Sequence, residues 1–68
     1  MGSETTLQIV DRHIREALLQ VARQREIVEE LRSGGHPTLV AESLLKVFEE
    51  TLQTHQGHAD RLRQEPQP

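Results

Sequence analysis

Two rows of residues, each spaced alternately three and four apart, constrain this chain more than any other feature. In the first half the row is Leu7, Val10, Ile14, Ala17, Val21, Gln24, Val28 and Leu31. In the second it is Thr38, Ala41, Leu45, Phe48, Leu52, His55, Ala59 and Leu62. Such spacing holds one stripe on the same side of an α-helix for its whole length, the pattern of helices that lie nearly parallel with interlocking side chains. Between the rows stands the only interior Gly/Pro cluster, Ser33-Gly34-Gly35-His36-Pro37. Gly34 or Gly35 supplies the left-handed residue that ends a helix. Pro37 lacks a backbone N–H and suits the first turn of the next helix.

Folding the chain back at the glycines pairs the two rows in layers. Leu7 meets Leu62, Val10 meets Ala59, Ile14 meets His55 and Ala17 meets Leu52. Val21 meets Phe48, Gln24 meets Leu45, Val28 meets Ala41 and Leu31 meets Thr38. Large side chains repeatedly face small ones, as an interdigitated core requires. The match runs from end to end without a slip and predicts an all-α chain, an antiparallel two-helix hairpin. The expected spans are a helix over 6–33, a turn over 34–36 and a helix over 37–64, with a flexible N-terminus 1–5 and a disordered tail 65–68. Thr5 and Gln8 have the spacing of a capping box at the first helix start. Gly57 is the weak point of the second helix.

One seam between two helices seldom hides enough apolar surface to hold a chain of 68 residues, so a second layer is expected. Leu18, Ile27 and Leu44 flank the seam, and Leu19, Ala22, Leu39, Val40 and Val47 lie further round. The simplest second layer is another copy, which makes a homodimeric four-helix bundle. Leu18, Val21, Ile27, Leu45 and Phe48 are the residues expected to carry the core and the assembly. Gln24, polar at a seam position, either fixes the register or reaches past Leu45 to water.

Composition excludes several function classes. There is no Cys, hence no disulfide framework, thiol chemistry or Cys-based zinc site. The longest apolar runs, Ala17–Leu19 and Leu39–Ala41, fall far short of the about 20 residues a membrane span needs. No basic-then-apolar leader follows Met1, so no signal peptide is expected. A net charge of -3 disfavours nucleic acid as a partner, though Arg12, Arg15 and Arg23 offer a possible RNA-binding face. The pairs Arg12–Glu16, Arg25–Glu29 and Glu42–Lys46 are spaced for ion pairs within a helix. Ser3, Ser33 and Ser43 lack a His–Asp pairing, and Gly34-Gly35 is too short for a phosphate cradle, so no catalytic residue and no enzymatic activity are expected.

The histidines are the remaining chemistry. His13 lies beside the Ile14/His55 layer, and His58 sits one turn beyond His55 on the same flank as His13. Three imidazoles from both helices would suit a transition metal such as Zn, Ni or Cu. The alternative is that they pack the seam and its flank, and no cofactor is then required.

The set His13, Ala22-Arg23-Gln24-Arg25, Ile27, Leu31, Gly35-His36, Leu44-Leu45, Phe48-Glu49-Glu50-Thr51-Leu52 and His55-x-x-His58-x-Asp60-Arg61-Leu62 resembles a group of short, uncharacterised bacterial helical-hairpin proteins. The resemblance covers roughly residues 12–62. Where that group typically carries an Arg after the second His, this chain has Ala59, and Thr54 stands where the group tends to be apolar. The resemblance implies a helical hairpin of bacterial, cytoplasmic origin and no particular activity. In architecture the chain is also similar to the small plasmid copy-number regulator that binds paired RNA loops as a dimeric four-helix bundle, a likeness of fold alone. The functional expectation is a non-enzymatic interaction or scaffold module, homodimeric, whose exposed faces bind another protein. The alternatives are an RNA-binding regulator using Arg12, Arg15 and Arg23, and a metal-binding protein using His13, His55 and His58.

Overall fold

Thr5 opens the first helix with a reciprocal cap. Its hydroxyl accepts the Gln8 N–H at 3.1 Å, and the Gln8 side chain accepts the Thr5 N–H at 2.8 Å, so two otherwise orphaned donors are satisfied. The structure, a computed structural model, describes residues 4–64. The capped helix, α1, runs Thr6–Ser33, and a second, α2, runs Leu39–Gln64. The two pack against each other, and no strand occurs among the described residues. The expected tail 65–68 and residues 1–3 lie outside the described residues. Of the expected flexible N-terminus, Glu4 and Thr5 are engaged: Thr5 in the cap, and Glu4 in an ion pair with Arg12 at 2.6 Å.

The end of α1 is a Schellman motif. The His36 N–H donates to the Leu31 carbonyl at 2.8 Å, and the Gly35 N–H donates to that of Arg32 at 3.1 Å. The motif needs a left-handed residue just past the cap. Gly35 supplies it with φ 73°, whereas Gly34 at φ -83° keeps a right-handed backbone. α2 begins two residues later than the proline suggests. The Glu42 N–H donates to the Thr38 carbonyl at 2.8 Å, which makes Thr38 the cap and leaves Pro37 before the helix. Pro37 therefore shapes the turn rather than the first helical turn.

The seam lies along the two rows, and every member of both is buried or half-buried. Yet the apolar side chains that are buried, Val10, Ala17, Val21, Val28, Ala41 and Ala59, are all small. Among the described residues no large side chain is fully buried. Leu45 and Phe48 are half-covered, and Leu18 and Ile27 are exposed. The protein is a slab of 56 × 25 × 12 Å, one helix thick, about the 10–12 Å diameter of a helix with its side chains.

Gln24 is buried, 5% exposed, and its amide donates to the Ala41 carbonyl at 2.9 Å. It does not reach past Leu45 to water. The bond ties α1 to the backbone of α2 near the turn. No buried side-chain nitrogen or oxygen among the described residues lacks a partner, so the seam accommodates this amide without an orphaned group.

Candidate functional site

The two flanks of the seam differ in kind. On one flank the seven-residue row Asp11, Leu18, Arg25 and Arg32 of α1 runs beside Arg63, Gln56, Glu49 and Glu42 of α2. Three of these four steps are ion pairs between the helices: Arg63–Asp11 at 3.0 Å, Arg25–Glu49 at 3.7 Å and Arg32–Glu42 at 2.8 Å. Arg32 also holds Glu29 at 2.7 Å, and Arg63 lies 3.7 Å from Asp60. These pairs replace the within-helix pairs that the spacing suggests. Arg12, Arg25 and Glu42 turn to Glu4, Glu49 and Arg32 instead. For Arg25 and Glu42 the cause is positional, because a residue at the edge of an antiparallel seam sits beside the matching edge of the other helix; Arg12, on the outer face of α1, is held by Glu4 just before that helix. All of these carboxylates and guanidiniums are substantially exposed, so each pair contributes at most about 1 kcal/mol.

The opposite flank carries no Asp, Glu, Lys or Arg in its matching rows. Thr6, His13, Gln20 and Ile27 of α1 run beside Leu44, Thr51 and His58 of α2. Val40 and Val47 lie next to Leu44 on the outer side of α2. Ile27, Leu44, Val47 and Val40 are 37%, 43%, 52% and 83% exposed. They cluster in the half of the hairpin nearest the turn. The half near the open end has His13, Gln20, Thr51, Thr54 and His58, with Glu16 and Arg61 on the outer rows.

This arrangement separates two residues that sequence reasoning grouped for assembly. Leu18 and Ile27 are nine positions apart, about two and a half turns at 3.6 residues per turn, which puts them on opposite sides of the helix. Leu18, 48% exposed, stands in the ion-paired row, and Ile27 stands on the uncharged flank. Val21, Leu45 and Phe48 belong to the seam within the chain. Val40, Leu44 and Val47 lie exposed on the same flank as Ile27. That this edge of the seam carries no charge in its matching rows is visible only after the edges are aligned.

His13 and His55 pack ring against ring, with centroids 5.3 Å apart and planes tilted by 50°, an ordinary geometry for an aromatic pair. Both are half-buried, as is His58. Among the described residues no group of three or more His, Asp or Glu is placed to hold a metal ion. His58 therefore does not complete a ligand set with the pair. A surface groove of about 430 Å³ is lined by Asp11, Ile14, Gln56, Asp60 and Arg63. Its charges are engaged with one another, since Arg63 pairs with both aspartates.

Arg12 is occupied by Glu4. Arg12, Arg15 and Arg23 take three different positions around α1, with Glu16, Glu26, Glu29 and Glu30 among them, so they form no continuous basic stripe. No helix among the described residues is long and apolar enough to cross a membrane. Comparison with protein-family models, with curated proteins and with solved structures returns no match.

Proposed function

We propose that the chain is a non-enzymatic helical interaction module that works as a homodimer, two hairpins forming a four-helix bundle. The observation that carries this reading is the mismatch between what the seam buries and what the chain has to bury. Among the described apolar residues only Val and Ala are buried, while Leu18, Leu19, Ile27, Leu39, Leu44, Val40 and Val47 stay exposed. The accessible surface is 5495 Å², against about 4,400 Å² expected for a compact monomer of this mass. The excess is comparable to the about 800 Å² that one partner covers in an ordinary protein–protein interface. A role in presenting surfaces to another protein follows, because the outer faces of such a bundle, which carry the ion pairs together with Leu18, Leu19 and Leu39, remain available.

Sedimentation equilibrium tests the reading. A mass of twice 7.8 kDa supports it, and a monomer at high protein concentration refutes it. RNA binding through Arg12, Arg15 and Arg23 has no comparable support, since these side chains are interleaved with carboxylates on a chain of net charge -3. The histidines are assigned a packing role, with His13 and His55 filling the open end of the seam as a ring pair.

A further inference from the structure

We infer that the second copy docks on the uncharged flank, with the two turns at the same end of the bundle. This rests on the homodimer reading and adds to it the face and the direction of approach. The charge pattern selects the face. The Asp11-to-Arg32 flank is already laced by ion pairs between the chain's own helices, and covering it would strip water from six charged groups with little return. The other flank costs less, because its matching rows hold only His13, Gln20, Ile27, Leu44, Thr51 and His58, with Thr6 at the end, and its charges, Glu16, Arg23, Glu30 and Arg61, stand on the outer rows where they keep their water.

The distribution of apolar residues along that flank selects the direction. Ile27, Val40, Leu44 and Val47 lie in the turn-proximal half. Neighbouring helices of a bundle run antiparallel, which leaves two fully overlapped arrangements. With the turns at opposite ends, α1 lies beside its symmetry mate and α2 beside its own. Val40, Leu44 and Val47 are then pressed against Arg61, His58 and Thr54 of the second copy's open half. With the turns together, α1 of each copy lies beside α2 of the other. Ile27 then meets Leu44 and Leu44 meets Ile27 across the two-fold axis, and apolar surface covers apolar surface at both contacts. Burial of apolar area is the dominant favourable term in association, so this arrangement is the one the side chains match. The aliphatic stems of Arg23 and Glu30, on the outer edge of α1, extend over the second copy's Val47 and Val40 and keep their charges in water. The polar open half of the flank brings His13 and His58 of both copies to the far end.

The absence of cysteine makes the geometry directly testable. A single His36→Cys variant is treated with a bis-maleimide spanning about 10 Å, near the 8–10 Å between packed helices. With the turns together the two thiols lie within reach and a covalent dimer forms. With the turns at opposite ends they are separated by the length of a helix, about 40 Å, and no such product forms. Alongside it, Leu44→Glu and Leu18→Glu are compared by sedimentation equilibrium. Leu44→Glu should raise the dimer dissociation constant at least a hundredfold and abolish the crosslink, whereas Leu18→Glu should leave it within threefold. A helical circular dichroism spectrum of Leu44→Glu establishes that the hairpin persists. If the unmodified chain is monomeric, the homodimer reading itself fails. If it is dimeric but His36→Cys remains uncoupled, the direction is overturned. If Leu18→Glu rather than Leu44→Glu dissociates the dimer, the face is overturned.

Discussion

Gly35 and Gly57 are both open to solvent, with nothing within 4 Å of an added Cβ, yet they differ in what alanine does. Gly35 holds φ 73° in the Schellman motif, where an L side chain costs about 1–2 kcal/mol. Gly57 lies inside α2, where alanine gains about 0.5–1 kcal/mol. Urea melts should therefore move in opposite directions for Gly35→Ala and Gly57→Ala, and a matched shift would refute this account of the turn. At Gln24 the buried amide makes one bond, to the Ala41 carbonyl. That carbonyl retains its helical hydrogen bond when the amide is lost, so Gln24→Leu leaves no orphaned group. It should raise stability by up to about 1 kcal/mol, while Gln24→Ala leaves a gap and lowers it by roughly 1–2 kcal/mol. A loss with leucine would show that the amide contributes more than the apolar packing that replaces it. The His13–His55 pair is read as packing, so adding Zn²⁺ or Ni²⁺ should leave the melting temperature unchanged. A rise of several degrees would instead make the pair a ligand site.

At the scale of the helix, the seam was legible from spacing alone. The alternation of three and four is a direct image of helical geometry, and each residue it selects is buried or half-buried. The start of α2 was less legible, because proline fits both the first helical turn and the position before the cap, and only the Thr38 carbonyl bond separates the two. The ion pairs depart from the spacing for a different reason. Spacing within one helix carries no information about the antiparallel helix, where an edge residue has equally near neighbours that also satisfy its charge. Arg32 and Glu42, 2.8 Å apart, test this. A double-mutant cycle with Arg32→Gln and Glu42→Gln should give a coupling of about 0.2–1 kcal/mol that weakens in high salt. Zero coupling at low salt would remove the ladder from the energetics of the hairpin. The histidine grouping was legible only in part. Position along the chain puts His13 beside His55, but whether rings converge on one point depends on side-chain direction, which spacing does not encode.

For the molecule as a whole, thickness is the governing quantity. Among the described residues a slab 12 Å deep has no interior beyond its seam, where Val and Ala are buried and the Leu, Ile and Phe side chains are only half-covered. Leu18, Leu19, Ile27, Leu39 and Leu44 lie outside the seam and are exposed. With the proposed second copy supplying a further layer, folding and association are coupled, and the account predicts a melting temperature that rises with protein concentration. Small-angle X-ray scattering measures mass and shape at once and addresses this claim most directly. The account predicts a scattering mass twice that of the chain and a largest dimension still near the 56 Å of one hairpin, since side-by-side copies add thickness without length. A particle of single-chain mass, one helix thick, would contradict it.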